Sequence, residues 1–108
     1  DPEGLATLVL EIHARITVAT LVVHPVAYAL ASDGKSVEVV EGPVCKKPRI
    51  TTGAGDHFNS GFCLGKLLGL SNADALLCGV STSGHYVRTA KSPSVHDLVQ
   101  LMRHWPAQ

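Results

Sequence analysis

Hydrophobic and polar positions alternate with a helical period at the start of the chain. The first apolar residues follow a spacing of three and four positions, namely Leu5, Leu8, Val9 and Ile12. This spacing places them on one face of an amphipathic helix. Asp1 followed by Pro2 is typical of a helix start, because Asp caps free amides and Pro suits the first turn.

β-branched residues then become frequent and predict extended structure. Residues 16–23 are typical of a buried strand, and residues 26–31 predict a second one. Asp33-Gly34 is a hairpin signal, with residues 36–40 as the returning strand. Residues 44–50 are polar and contain a proline, which favours an irregular edge strand. We therefore expect four short strands in this part of the chain.

The second half of the chain returns to helical spacing. One helix is expected to open at Gly53 and to end near Leu68, with Gly69 as its stop. A second helix is expected over residues 73–87, with Ser71 or Asn72 as its cap. A third begins after Ser94, which forms a capping-box variant with Asp97. Its apolar stripe comprises Val95, Leu98, Val99, Met102 and Trp105. The order predicts an α/β chain that forms part of a layered fold.

Composition narrows the functional classes. The chain has 108 residues, of which 45% are hydrophobic and 17% charged, so it predicts one domain at most with a packed core. Lys plus Arg and Asp plus Glu both number 9, and this balance argues against nucleic acid as a partner. We expect no membrane span, because no apolar run reaches about 18 residues. The three cysteines and six histidines fit no zinc spacing, so we expect no metal centre. The cysteines are odd in number and widely spaced, so we expect a reduced, cytoplasmic protein.

The most informative segment is the glycine loop, defined here as residues 51–56 with the sequence Thr-Thr-Gly-Ala-Gly-Asp. Free amides and the helix dipole at the start of a helix favour a phosphate or another anion. The dipole also favours the ionised form of Asp56, which could take a proton from an attacking hydroxyl. The alternative is purely structural, because glycine turns and first-turn acids are common at helix starts. The loop is neither a Walker A loop nor a complete GxGxxG.

A longer segment favours the catalytic interpretation. Residues 51–62, Thr-Thr-Gly-Ala-Gly-Asp-His-Phe-Asn-Ser-Gly-Phe, resemble the carboxy-terminal signature of ribokinase-like (PfkB) carbohydrate and nucleoside kinases, D-T-T-G-A-G-D-A-F-x-x-G. The order of the expected helices and strands around this segment also resembles that of the family, over nearly the whole chain. The resemblance implies that residues 1–108 are the nucleotide-binding and catalytic-loop portion of a layered α/β/α kinase domain. The region for substrate binding and the lid would lie outside them, so we expect these residues alone to be inactive.

The same resemblance implies roles for individual residues. The family transfers the γ-phosphoryl group of ATP, with Mg²⁺, to a hydroxyl of a sugar, a nucleoside or a related metabolite. Asp56 would be the catalytic base, and the amides of Gly53, Ala54 and Gly55 would form the anion hole. Candidate nucleotide contacts are Thr52, His24, Gly79, Ser83 and Arg88. Met102 and Trp105 are candidates for core or subunit contacts, so a homodimer stays open.

Three positions depart from the family pattern. Ile50 replaces an Asp that helps to bind an activating monovalent cation, so dependence on that cation is doubtful. His24-Pro25 falls where family members have a T-x-G-x-x-G pattern, and Ala90-Lys91 replaces a Gly-Ala pair. These changes motivate a second hypothesis, a degenerate homologue that binds nucleotide or a partner chain without catalysis. His57 is expected to face solvent, and the basic residues Lys46, Lys47 and Arg49 are expected to guard a solvated edge strand.

Overall fold

The computed structural model describes residues 1–106 and has mixed α/β architecture. The elements in chain order are α1 (Pro2–His13), β1 (Leu21–Val23), β2 (Tyr28–Ser32), β3 (Val37–Glu41), α2 (Ala54–Leu67), α3 (Asn72–Thr89) and α4 (Val95–Arg103). The three strands form one small sheet in the order β1-β2-β3. The expected α/β character is confirmed, whereas the ribokinase-like layered arrangement stays a prediction. Within residues 1–106 no helix combines the length and apolarity that crossing a membrane requires.

The first helix forms where its cap predicts, but it buries only part of the expected apolar face. The Asp1 carboxylate accepts hydrogen bonds from the amides of Glu3 and Gly4, both at 3.3 Å. Leu8 and Ile12 are 49% and 43% exposed, so the expected apolar face is wrong at these two positions. Val9 is buried as expected, and so is His13, whose ring contacts the Ser32 hydroxyl of β2 at 2.7 Å. A buried polar contact therefore joins α1 to the sheet.

The sheet is smaller than the hydrophobic pattern suggests. Both strand pairs are antiparallel, with β1 and β3 on either side of β2. The hairpin turn is confirmed, since the Asp33 carboxylate accepts the amides of Lys35 and Ser36 at 2.8 and 2.9 Å. Those hydrogen bonds, that of Ser36 first, lower the pKa of Asp33. The first expected strand is shortened to Leu21–Val23.

The fourth expected strand, residues 44–50, does not form in the described part of the chain. Its backbone amides are used elsewhere: that of Val44 donates to the Pro106 carbonyl at 3.3 Å, and that of Arg49 to the Val87 carbonyl at 2.7 Å. The segment is therefore fastened to α3 and to the chain end instead of to β3. The basic residues Lys46, Lys47 and Arg49 are exposed as expected, although not on a strand.

Close packing of α2 against α3 fixes the position of the glycine loop. Both helices match the sequence prediction within about two residues, and Gly69 has a positive φ of 79° just after α2. A Cβ atom at Gly61 would lie 2.4 Å from the Thr82 hydroxyl, and one at Gly65 would lie 2.8 Å from the Ala75 Cα. Only glycine permits this approach. The main core lies beside this contact and comprises Ala29, Ala31, Phe58, Phe62, Ala75, Leu76 and Val80.

The last helix begins as predicted and ends earlier. The capping box of Ser94 and Asp97 is confirmed, with both hydrogen bonds present. The expected apolar stripe is wrong as a buried face at Val95 and Val99, which are 73% and 38% exposed, whereas Leu98, Met102 and Trp105 are partly buried. Trp105 lies beyond the end of α4 at Arg103 and packs against the main core from there. Pro106 follows it, and a residue before proline is disfavoured in a helix.

Candidate functional site

The glycine loop forms the entry into α2 and adopts a conformation that needs glycine. Gly53 is the N-cap residue, with a left-handed φ of 92° and no side chain to cap the helix. The Ala54 amide donates to the Thr51 carbonyl at 3.1 Å, so it is engaged within the loop. The amides of Gly53, Gly55 and Asp56 have no acceptor among residues 1–106. Three free amides at the start of α2 are thus available to an anion, and that of Asp56 replaces that of Ala54 in the expected set.

Asp56 lies in the first turn of α2 and is exposed. Its backbone carbonyl accepts the Ser60 hydroxyl at 3.0 Å. The single salt bridge found among residues 1–106 joins His85 and Asp97, so no described cation neutralises the Asp56 carboxylate. The carboxylate is therefore accessible beside the free amides, as a proton acceptor for a bound hydroxyl must be.

A cleft of about 480 Å³ opens directly beside the loop. Thr51, Ala54 and Gly55 line one side of it, and the helix α3 lines another. Its walls include the apolar residues Pro25, Pro43, Val44, Val80 and Val87. An apolar cleft that ends on free helix amides combines a surface for a flat ring system with a site for negative charge.

Four of the predicted site residues line this cleft together: His24, Ala54, Gly55 and Ser83. Sequence reasoning missed the segment around Pro43, Val44 and Cys45, which also lines the cleft and packs against α3 at Gly84 and Arg88. No motif marks this segment as part of a site, and residues 44–50 were expected to form an edge strand. Val80 and Val87 were also missed, although with Ser83 they follow the helical spacing of one face.

His24 lines the cleft and is partly buried. Its ring stacks on Phe58 with 4.0 Å between centroids and 18° between planes. Burial lowers the pKa of His24 below its ordinary value, so the neutral ring is favoured at neutral pH. His24 therefore suits a stacking or hydrogen-bonding contact better than a charge contact.

Three other candidates for nucleotide contact hold the scaffold instead of lining the cleft. Gly79 faces Phe58, where a Cβ atom would lie 2.7 Å from the ring. The Arg88 guanidinium donates to the Gly84 carbonyl at 2.9 Å and also to the Val44 carbonyl. The Thr52 carbonyl accepts the Tyr86 hydroxyl at 2.7 Å. These positions lend no support to direct nucleotide contacts, which stay predictions.

The expectation that His57 faces solvent is wrong. The ring is partly buried and its Nδ1 lies 2.8 Å from the Gly53 carbonyl, while Nε2 lies 2.8 Å from the Ser92 hydroxyl. It also stacks on Tyr86, with 3.7 Å between centroids. Neither Tyr86 nor Ser92 carries a sequence motif for this role. Only the packing of α2 against α3 brings them together.

Ile50 provides no side-chain ligand for a monovalent cation. Ile50 is partly buried and supplies no carboxylate. Its neighbour Arg49 lines a second cavity of about 380 Å³ together with His85, Lys91 and Asp97. Hydrogen bonds from Ser94, the backbone amide first, lower the pKa of Asp97. Within residues 1–106 no group of three or more His, Cys, Asp or Glu residues could hold a metal ion.

Comparison with known proteins gives the family. The model of the prokaryotic ketohexokinase family matches residues 3–105, which is nearly the whole chain. A ketohexokinase of Haloferax volcanii is 36% identical over 75 residues, which make up 69% of this chain. The matched region spans only 20% of the length of that relative. On these matches, the chain belongs to the prokaryotic ketohexokinase family.

Proposed function

We propose that the full-length protein is an ATP-dependent sugar kinase of the ribokinase-like type, in which this chain supplies the phosphoryl-transfer loop. The observation that carries the proposal is the position of Gly55 and Asp56. Both residues present free amides at the start of α2, and Gly55 lines the apolar cleft. Membership of a ketohexokinase family supports phosphoryl transfer to a sugar over the purely structural interpretation of the loop.

The cleft suits a nucleotide in its chemistry. Its apolar walls fit a purine ring, and the loop amides at its edge fit phosphate oxygens. A Cβ atom at Gly55 would meet no atom within 4 Å, so space is open where a phosphate would approach the backbone. Mg²⁺ bound to the nucleotide would neutralise part of the phosphate charge. Asp56 is the exposed carboxylate of the loop, and no dedicated cluster of ligands for the ion is present among residues 1–106.

In the proposed reaction the hydroxyl oxygen of the sugar attacks the γ-phosphorus of ATP. The bond between that phosphorus and the bridging oxygen of ADP breaks, and the hydroxyl proton passes to the Asp56 carboxylate. The amides of Gly53, Gly55 and Asp56 stabilise the charge on the equatorial oxygens of the transferring group. The products are ADP and a sugar phosphate.

A ketohexose is the acceptor to test first, because the matched relative is named a ketohexokinase. Ribose, ketodeoxygluconate and nucleosides are the comparison substrates. The acceptor site is expected outside this chain, so the panel must be assayed on the full-length protein. Turnover by residues 1–108 alone would contradict that expectation.

The decisive experiment replaces Asp56 by Ala in the full-length protein. Loss of a general base costs roughly 10²- to 10⁴-fold in kcat, whereas ATP affinity by calorimetry should change little. Asp74→Ala is the matched control, because Asp74 is also an exposed acid in the first turn of a helix. Asp56→Ala turnover equal to that of the control would refute the assignment.

The non-catalytic alternative keeps one observation in its favour. His24 falls where family members approach the nucleotide with glycines, and it lines the cleft while its ring stacks on Phe58. This alternative expects calorimetric binding of ATP with Mg²⁺ and no turnover of any sugar in the panel. Measurable turnover by the wild-type protein eliminates it.

A further inference from the structure

We infer that His57 and Tyr86 are positioning residues that hold the glycine loop in its anion-binding conformation. The consequence for turnover rests on the proposed function, whereas the consequence for loop order does not. Neither residue lines the cleft, and their hydrogen bonds reach the backbone carbonyls of Thr52 and Gly53.

The pair compensates for a missing helix cap. The other three helices begin with side chains that bind their first amides, those of Asp1, Ser71 and Ser94. The helix α2 begins at a glycine and has no side-chain cap. A helix end without a cap frays readily. The loop therefore needs contacts from elsewhere to keep its free amides in one orientation.

Tyr86 and His57 supply these contacts at two successive carbonyl groups. The Tyr86 hydroxyl donates to the Thr52 carbonyl at 2.7 Å. The Gly53 carbonyl is only an acceptor, so Nδ1 of His57, 2.8 Å away, carries the proton and donates. The same carbonyl also accepts the backbone amide of His57 at 3.1 Å. Two donors on one carbonyl oxygen fix the direction of the peptide plane that follows Gly53.

The two rings are themselves held together. They stack with 3.7 Å between centroids and 12° between planes. Nε2 of His57 bonds to the Ser92 hydroxyl at 2.8 Å, just beyond the end of α3. A Cβ atom at Gly53 would lie 3.0 Å from the Tyr86 hydroxyl, so the hydroxyl packs directly on the N-cap residue. The loop at the start of α2 is thereby fastened to the carboxy-terminal part of α3.

The test compares Tyr86→Phe and His57→Ala with two matched controls in the full-length protein. Tyr86→Phe removes one hydroxyl and keeps the stacked ring. The controls are Tyr28→Phe, on the other tyrosine, and His96→Ala, on an exposed histidine of α4. The first measurement is amide hydrogen exchange at Ala54 and at position 57, whose amides donate within the loop. We expect exchange about five-fold faster in each loop variant, because one hydrogen bond contributes about that factor, and no change in the controls.

The second measurement separates positioning from general stability. In each loop variant kcat should fall about ten-fold, because reacting groups lose their alignment. The KM for the sugar should stay close to the control value, and Tyr86→Phe should lower the free energy of unfolding by no more than the roughly 1 kcal/mol that one hydrogen bond contributes. Exchange in Tyr86→Phe equal to that in Tyr28→Phe would overturn the inference, and so would faster exchange with kcat unchanged. If the wild-type protein shows no turnover, the proposed function fails, and the exchange rates alone decide whether the pair holds the loop.

Discussion

The two glycines of the loop should respond oppositely to the same substitution. Gly53→Ala forces a side chain into a φ of 92°, which costs about 1–2 kcal/mol. The new methyl group would also lie 3.0 Å from the Tyr86 hydroxyl, and displacing that hydroxyl endangers its hydrogen bond to Thr52, a further loss of about 1 kcal/mol. Gly53→Ala should therefore lower the free energy of unfolding by about 2–3 kcal/mol.

Gly55→Ala should be neutral or stabilising. The position lies within α2 and a Cβ atom there meets nothing within 4 Å. Alanine favours a helix over glycine by up to about 1 kcal/mol. The methyl group would point into the open space beside the free amides, so ATP affinity should fall although stability does not. The two variants differ by one methyl group each and should differ in stability by about 3 kcal/mol.

Urea unfolding of the full-length variants measures the stabilities, and calorimetry measures the ATP affinity. The double variant Gly53→Ala with Tyr86→Phe tests the reason for the loss at Gly53. The double variant should lose about 1 kcal/mol less stability than the sum of the losses in the two single variants, because each single substitution removes the same hydrogen bond. A Gly53→Ala variant as stable as wild type, or a Gly55→Ala variant less stable by more than about 1 kcal/mol, would refute the described loop conformation.

Three further predictions concern the scaffold and pH. Gly61→Ala should destabilise by about 1–3 kcal/mol in urea unfolding, because its Cβ would lie 2.4 Å from the Thr82 hydroxyl; full stability would contradict the close approach of α2 to α3. Ser94→Ala should cost about 1 kcal/mol in the same assay, whereas Ser94→Thr keeps the capping oxygen and most of the stability. Burial lowers the pKa of His24 in the folded state, so protonating this ring costs folding stability. The stability of the protein is therefore unaffected by His24 above its ordinary pKa of 6.5 and declines as the pH falls from 6.5 through the lower pKa of the folded state. His24→Gln should thus flatten the decline in stability below pH 6.5, and an unchanged slope would be evidence against the burial of this ring.

Local patterns predicted the parts of the fold whose physics is local. The caps Asp1 and Ser94 and the Asp33-Gly34 turn formed as expected, because each depends on hydrogen bonds between residues two or three positions apart. The start of α2 and its stop at Gly69 were predicted for the same reason. Residues 44–50 were not, because their amides pair with Val87 and Pro106, which are distant in sequence.

The features of the candidate site likewise depend partly on local sequence and partly on contacts between distant residues. The sequence by itself determined that the glycine loop opens a helix and that Asp56 lies in its first turn, since glycine conformation and helix ends are properties of adjacent residues. Only the tertiary structure decided that Ser92 contacts the His57 ring and that the Tyr86 hydroxyl bonds to the Thr52 carbonyl. Both contacts follow from the packing of α2 on α3, which brings Tyr86 and Ser92 to the loop across more than thirty residues. No local pattern encodes such a contact, because its energy comes from surfaces that meet only in the folded chain.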